Sequence, residues 1–345
     1  MRGREHMHWL NDFDRHIHAA FEEAAQRIRQ FPAPLNKEGM EYLTGFDIRL
    51  QSGIHNYICY LLPFWLERMS RPHLQPDMHE HVLQTARQIA TANIMGMLHY
   101  FIQDDLMDAS STAAEDHGAA LMQSLRRLLP LSELLYAEYT GILSRIAGHR
   151  PEYWLYRRQY THDWARSVYH EQHPGHFLDN IPLITGRASP LRLSAVVMLL
   201  EAGLPARLPG ILQQLDLALL LLQMNDDAAD WPEDLQLHNY NCLLSLIHHE
   251  AHPAVPIAPG AFYILDEQMI RHYIYDKNIL RYYASLAHAQ RAARPDDPED
   301  SIDLLQFCDD LVQQLDQLAD TIEASRNLLL QQGSLFYYVN NPNLL

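Results

Sequence analysis

Two runs of aspartate are the residues of this 345-residue sequence whose types and spacing could do chemistry. In His99-Tyr100-Phe101-Ile102-Gln103-Asp104-Asp105-Leu106-Met107-Asp108, Asp104 and Asp108 stand four apart and share one helix face. Asp105 lies about 100° round. In the second run, 223–234, Asp226, Asp230 and Asp234 stack at successive turns. Acidic runs are usually solvated helix surface, but each of these follows a nearly all-apolar stretch, Ile94–Ile102 and Leu215–Leu222. Helices apolar on most sides are interior, so the carboxylates stand at the mouth of a core. Like charges gathered there raise one another's pKa and destabilise the fold unless a cation compensates them. Oxygen-only ligands indicate a hard ion. Magnesium binds through one or two carboxylates plus substrate phosphate oxygens and keeps several waters, which suits such ladders better than calcium. The implied substrate carries phosphates. A diphosphate clamped by magnesium is a good leaving group, and the carbocation left behind needs an apolar pocket to keep water away.

The run Asp104-Asp105-Leu106-Met107-Asp108-Ala109-Ser110 resembles the first aspartate-rich motif of trans-prenyl diphosphate synthases. Gln223-Met224-Asn225-Asp226-Asp227-Ala228-Ala229-Asp230, with Asp234 beyond it, resembles their second. As a pair they make the chain similar to the class I isoprenoid synthase superfamily, from Ile89 to Leu246 by motif and over the flanks by helical character. The resemblance implies an all-α, single-domain helical bundle over residues 1–345 that holds three Mg2+ ions through Asp104, Asp108, Asp226, Asp230 and Asp234. A second register, Asn225, Ala229 and Glu233, is similar to the metal triad of terpene synthases with its middle ligand missing, so Asn225 joins the candidate ligands. The aspartate register is preferred because all its members are ligands. Pro232 removes one helical hydrogen bond and can turn Asp234 away. Asp105 joins the catalytic candidates. Arg187, after Gly186, resembles the diphosphate-sensing arginine of bacterial terpene synthases, and Arg281-Tyr282 resembles their arginine-tyrosine pair. The same resemblance puts His99, Tyr100, Gln223 and Asp227 in the substrate pocket.

Elongating members of the superfamily carry paired arginines after the first motif and a glycine-lysine-arginine stretch upstream. Here Ser111-Thr112-Ala113-Ala114-Glu115-Asp116-His117 follows, and the chain has two lysines, Lys37 and Lys277. That loss favours one diphosphate substrate: a linear prenyl diphosphate of fifteen to twenty carbons, ionised and converted to a terpene hydrocarbon or alcohol. Chain elongation with isopentenyl diphosphate and a non-catalytic helical relative are the alternatives.

The elements that must position these residues are helices. Valine occurs seven times while leucine, alanine, glutamine and arginine abound, a balance that starves strands. Ile211-Leu212-Leu215-Leu219-Leu222 and Leu304-Leu305-Cys308-Leu311-Val312-Leu315-Leu318 repeat at helical spacing. Breaks at Ser70–Asp77, Ala109–Gly118, Ala147–Glu152, Gln172–Gly175, Gly186–Pro190, Gly203–Gly210, Pro253–Gly260 and Arg291–Asp300 predict nine or ten helices. The last should open at the N-cap Asp300-Ser301 and run to Gly333. The formal charge of −17 argues against nucleic acid and anionic membrane surfaces as partners. No apolar run is long enough for an integral membrane segment, and Cys59, Cys242 and Cys308 fit no disulfide framework. The expectation is a cytoplasmic protein, and the resemblance implies a homodimer. His248 and His252 share a helix face, and His162-Asp163 forms a dyad. Pro253 ends the first helix at once and the dyad lacks further ligands, so neither is taken as a metal site.

Overall fold

The computed structural model describes residues 10, 12–46, 57–111, 126–170, 176–237, 239–253, 255, 265–295 and 297–331, the side chains of 108–111 and 329–331 excepted. The expected breaks at 112–118, 172–175 and 256–260 and the C-cap Gly333 lie outside them. The described chain is helical throughout and contains no strand. Its α-helices are α1 (Asp14–Ile28), α2 (Leu35–Gly45), α3 (Tyr57–Ser70), α4 (His79–Ser111), α5 (Leu129–Ala147), α6 (Pro151–Tyr169) and α7 (Ile181–Gly186), followed by α8 (Arg192–Glu201), α9 (Leu208–Leu237), α10 (Cys242–Ala251), α11 (Glu267–Tyr275), α12 (Ile279–Ala292) and α13 (Ile302–Gln331). None is long and apolar enough to cross a membrane.

Thirteen described helices exceed the nine or ten expected. The reason lies partly at Asp276–Asn278, where α11 ends and α12 begins without glycine or proline. Asn278 makes the turn by adopting a left-handed backbone, φ 53°, which asparagine tolerates better than most residues. The break expected from Ala109 is also displaced, because α4 runs on to Ser111. Ser301 caps α13 as expected, its Oγ accepting from the Leu304 amide at 3.4 Å.

The chain divides into two compact units. The first comprises Met1–Tyr160, Pro190–Leu212 and Glu299–Leu304; the second comprises Thr161–Ser189, Gln213–Pro298 and Leu305–Leu345. In the first, α4 packs along α5 and α3, with α1 and α8 against it. Ile89, Ala90, Ile94, Met95, Leu98 and Ile102 are wholly buried around its circumference, as an all-round apolar helix should be. Gly96 permits the close approach to α5, since a Cβ there would stand 3.0 Å from the Tyr139 ring. In the second unit α10 packs against α11 and α12.

A polar clamp fixes α4. Asn93, 4 % exposed, donates through Nδ2 to the Cys59 carbonyl of α3 at 2.6 Å and accepts at Oδ1 from Ser194 of α8 at 2.6 Å. Asn93→Ala strands both partners in the core, and removing one side of a buried pair costs about 1–3 kcal/mol per group. The expected result is a loss of about 2–4 kcal/mol, read as a lower urea midpoint at unchanged m-value.

Candidate functional site

The two aspartate ladders belong to different units. The first sits near the C-terminal end of α4. Asp104 is half-buried and Asp105 exposed; Asp108 lies on the same helix, its side chain outside the described residues. The Tyr42 hydroxyl of α2 donates to Asp105 Oδ2 at 3.2 Å. Partial desolvation of its carboxyl on the α2 side, with neighbouring Asp104, pushes Asp105 up, against the Tyr42 hydrogen bond, which pulls it down. Tyr42 itself is pushed far up by burial and by Asp105. Its ring meets Phe46 at 5.1 Å, and Phe46 meets Phe101 at 4.8 Å, so aromatic rings flank this ladder. His99, expected in a substrate pocket, is buried against α5 with Nδ1 within 3.0 Å of the Ser132 carbonyl and 2.8 Å of its Oγ. Burial lowers its pKa, so the ring is neutral near pH 7. Tyr100 is half-buried, and its ring stands 4.8 Å from His99.

The second ladder continues α9, whose preceding turns bury Leu215, Ala218, Leu220 and Leu221 at 2 % exposure or less. The helix persists through Pro232 to Leu237, and Asp234 is held in place. Asn241 Nδ2 donates to Asp234 Oδ2 at 2.8 Å and to the Asp227 carbonyl at 2.8 Å, bridging the two turns that flank the proline. Asp227 is buried and accepts from the Cys242 amide and from Gln223 Nε2, both at 2.6 Å. The carboxylates of Asp226 and Asp234 are both pushed up to about 7, mainly by burial and secondarily by neighbouring aspartates. Burial also raises Asp227, against its hydrogen bonds and the charge of Arg187. Asp230 is exposed. Asn225 turns its amide to the carbonyls of Leu221 and Leu311, at 2.8 and 3.0 Å.

Within this unit an open cleft with about 400 Å³ of empty space, part of it solvent, lies among Ser167 of α6, His170 just past its end, Asn180 and Arg187 at the two ends of α7, Gln223 of α9 and Tyr240. The structure therefore brings two expected residues, Arg187 and Gln223, to one cleft, and the charge of Arg187 reaches Asp227 and Asp234. Arg281 and Tyr282 do not line it. Arg281 pairs with Asp316, Asp320 and Glu323 of α13, while Tyr282 is 47 % exposed. Sequence reasoning missed Tyr42, Ser167, Asn180, Tyr240 and Asn241. Only Asn241 had a local signal: it precedes an apolar run and caps α10, accepting from the Leu244 amide at 3.0 Å.

No family model matches the chain, and no curated protein or solved structure matches it. The assignment of function thus rests on the residues themselves. Among the described residues no group of three or more histidines, cysteines or acids converges as a ready cage for a metal. Magnesium does not require one, since it takes one or two carboxylates and completes its shell with phosphate oxygens and water. The donor set fits on chemical grounds: it is all oxygen, and it includes half-buried carboxylates whose charge a cation would restore.

Proposed function

We propose that the protein is a magnesium-dependent terpene synthase that ionises one linear prenyl diphosphate and converts the carbocation to a hydrocarbon or alcohol. The observation that carries this reading is Arg187 beside the second ladder, where one cationic side chain lines a cleft with Gln223 and acts electrostatically on Asp227 and Asp234. Asp104, Asp108, Asp226, Asp230 and Asp234 are the residues that would hold Mg2+, which when bound neutralises charge on a departing diphosphate. Asn225 donates through Nδ2 to the Leu221 and Leu311 carbonyls, bonds that do not involve the ligating Oδ1, so it stays as the alternative ligand of the second register. Arg187 draws off part of the same charge as it develops, an interaction stronger in the transition state than before it. The rings of Tyr42, Phe46 and Phe101 offer faces that favour a nearby cation. The proposal includes a cytoplasmic homodimer with free thiols; burial raises Cys59 and Cys308 to about 12, which makes them unreactive.

The test is incubation of purified protein with geranyl, farnesyl and geranylgeranyl diphosphates and Mg2+, with and without isopentenyl diphosphate, followed by gas chromatography and mass spectrometry. A hydrocarbon or alcohol from a single diphosphate is the expected result. Longer diphosphates formed only with isopentenyl diphosphate would make the protein an elongating enzyme, and no product under any condition would leave it a non-catalytic relative.

A further inference from the structure

We propose that Ser167 is a ligand-binding residue of the cleft, its hydroxyl donating to a phosphate oxygen of a diphosphate held beside Arg187; the inference rests on the diphosphate reading above. Ser167 is 2 % exposed and lines the cleft, yet its Oγ has no hydrogen-bond partner. A helical hydroxyl ordinarily satisfies itself by bonding to the carbonyl four residues earlier. Thr91, Thr140, Thr185, Thr321 and Ser325 of this chain do so, at 2.7–3.1 Å. Ser167 keeps its hydroxyl out of that bond at a cost in stability.

The hydroxyl instead stands against Gly186, where a Cβ would lie 2.0 Å from Ser167 Oγ and 3.1 Å from its Cβ. Only glycine lets α7 approach α6 so closely, and the residue after that glycine is Arg187. A hydroxyl donor and a guanidinium are thereby carried on adjoining parts of one wall. His170, one turn beyond Ser167, adds an imidazole, and no carboxylate is among the residues that line the cleft. That set suits an anion with several acceptor oxygens. Leu183 and Ile184 add an apolar surface to the same cleft, as a ligand with both a phosphate end and a hydrocarbon end requires.

Titration calorimetry with pyrophosphate and Mg2+ on the full-length protein tests this, with Ser167→Ala and Arg187→Gln as variants. The expected result is pyrophosphate binding about tenfold weaker in Ser167→Ala, together with a ligand-free melting temperature equal to or above that of wild type, because an unsatisfied buried hydroxyl has been removed. Wild-type affinity in Ser167→Ala alongside weakened binding in Arg187→Gln overturns the role of Ser167 and leaves the diphosphate reading standing. A Ser167→Ala protein that melts lower without ligand marks the hydroxyl as structural, which also overturns it. A wild type indifferent to pyrophosphate removes the diphosphate reading and this inference together.

Discussion

Asp226→Ala is expected to cut product formation from a prenyl diphosphate by about 10²–10³-fold, the size of losing one strong electrostatic contact to developing charge, while the metal-free fold stays at least as stable as wild type. The two halves follow from the same environment. Asp226 is desolvated on α9 and repelled by Asp227 and Asp230, which pushes its carboxyl up to about 7. Deleting it relieves a like-charge cluster, and the half-buried methyl of alanine suits a helix. Function should suffer because the same carboxylate is a proposed metal ligand. Steady-state kinetics and thermal melting on one preparation check both halves, and Asp226→Asn supplies an isosteric control. Unimpaired turnover in both variants would sink the metal assignment.

The second large effect is a linked dependence on pH and magnesium. Asp226 and Asp234 titrate near 7 in the folded chain, against about 3.9 for an unperturbed aspartate. Between those values the native state binds more protons than the unfolded state, so stability contributed by these groups falls as pH rises from about 4 to about 7. Below that window both states are protonated and the contribution is level; above it the full repulsion is present. Magnesium binds only the ionised carboxylates, so it should stabilise strongly at pH 8 and little at pH 5. At a hundredfold excess over its dissociation constant the gain is about 2.7 kcal/mol. Urea unfolding at both pH values, with and without Mg2+, measures it. The double variant Asp226→Asn, Asp234→Asn should lose most of the pH slope and most of the magnesium effect. A magnesium effect of equal size at pH 5 and pH 8 would place the ion elsewhere.

Much of the helical framework is legible because burial writes itself into composition. The apolar approach to each ladder marks α4 and the middle of α9 as interior, and both are. Ser301 announces the start of α13 by the chemistry of its side chain. The turn at Asn278 is not legible, since it depends on one residue accepting a left-handed backbone without glycine or proline. Arg281 shows the limit for a site. Its type and its neighbour Tyr282 fit a phosphate-handling pair, but α13 presents Asp316, Asp320 and Glu323 to it, and which helix lies alongside is a tertiary fact. The cleft is hidden for a similar reason. Ser167, Asn180, Arg187, Gln223 and Tyr240 come from four segments with no common spacing, so only Arg187 and Gln223, through their likeness to known motifs, stood out beforehand.

The clamp at Asn93 has a bearing on geometry as well as on stability. Asp104 follows Asn93 by eleven residues, which is three helical turns and about 20° more, or about 16 Å along the axis. The amide that touches α3 and α8 and the first carboxylate of the ladder therefore share nearly one azimuth. Both hydrogen bonds of Asn93 are 2.6 Å long and directional, so α4 cannot roll about its axis without breaking them. A one-residue roll would swing Asp104 through about 100°. On the side facing α5 the same helix is held by the close approach of Gly96 to Tyr139 and by His99 against Ser132. The asparagine works as an index pin: it sets the bearing of an acidic group some distance along the rod.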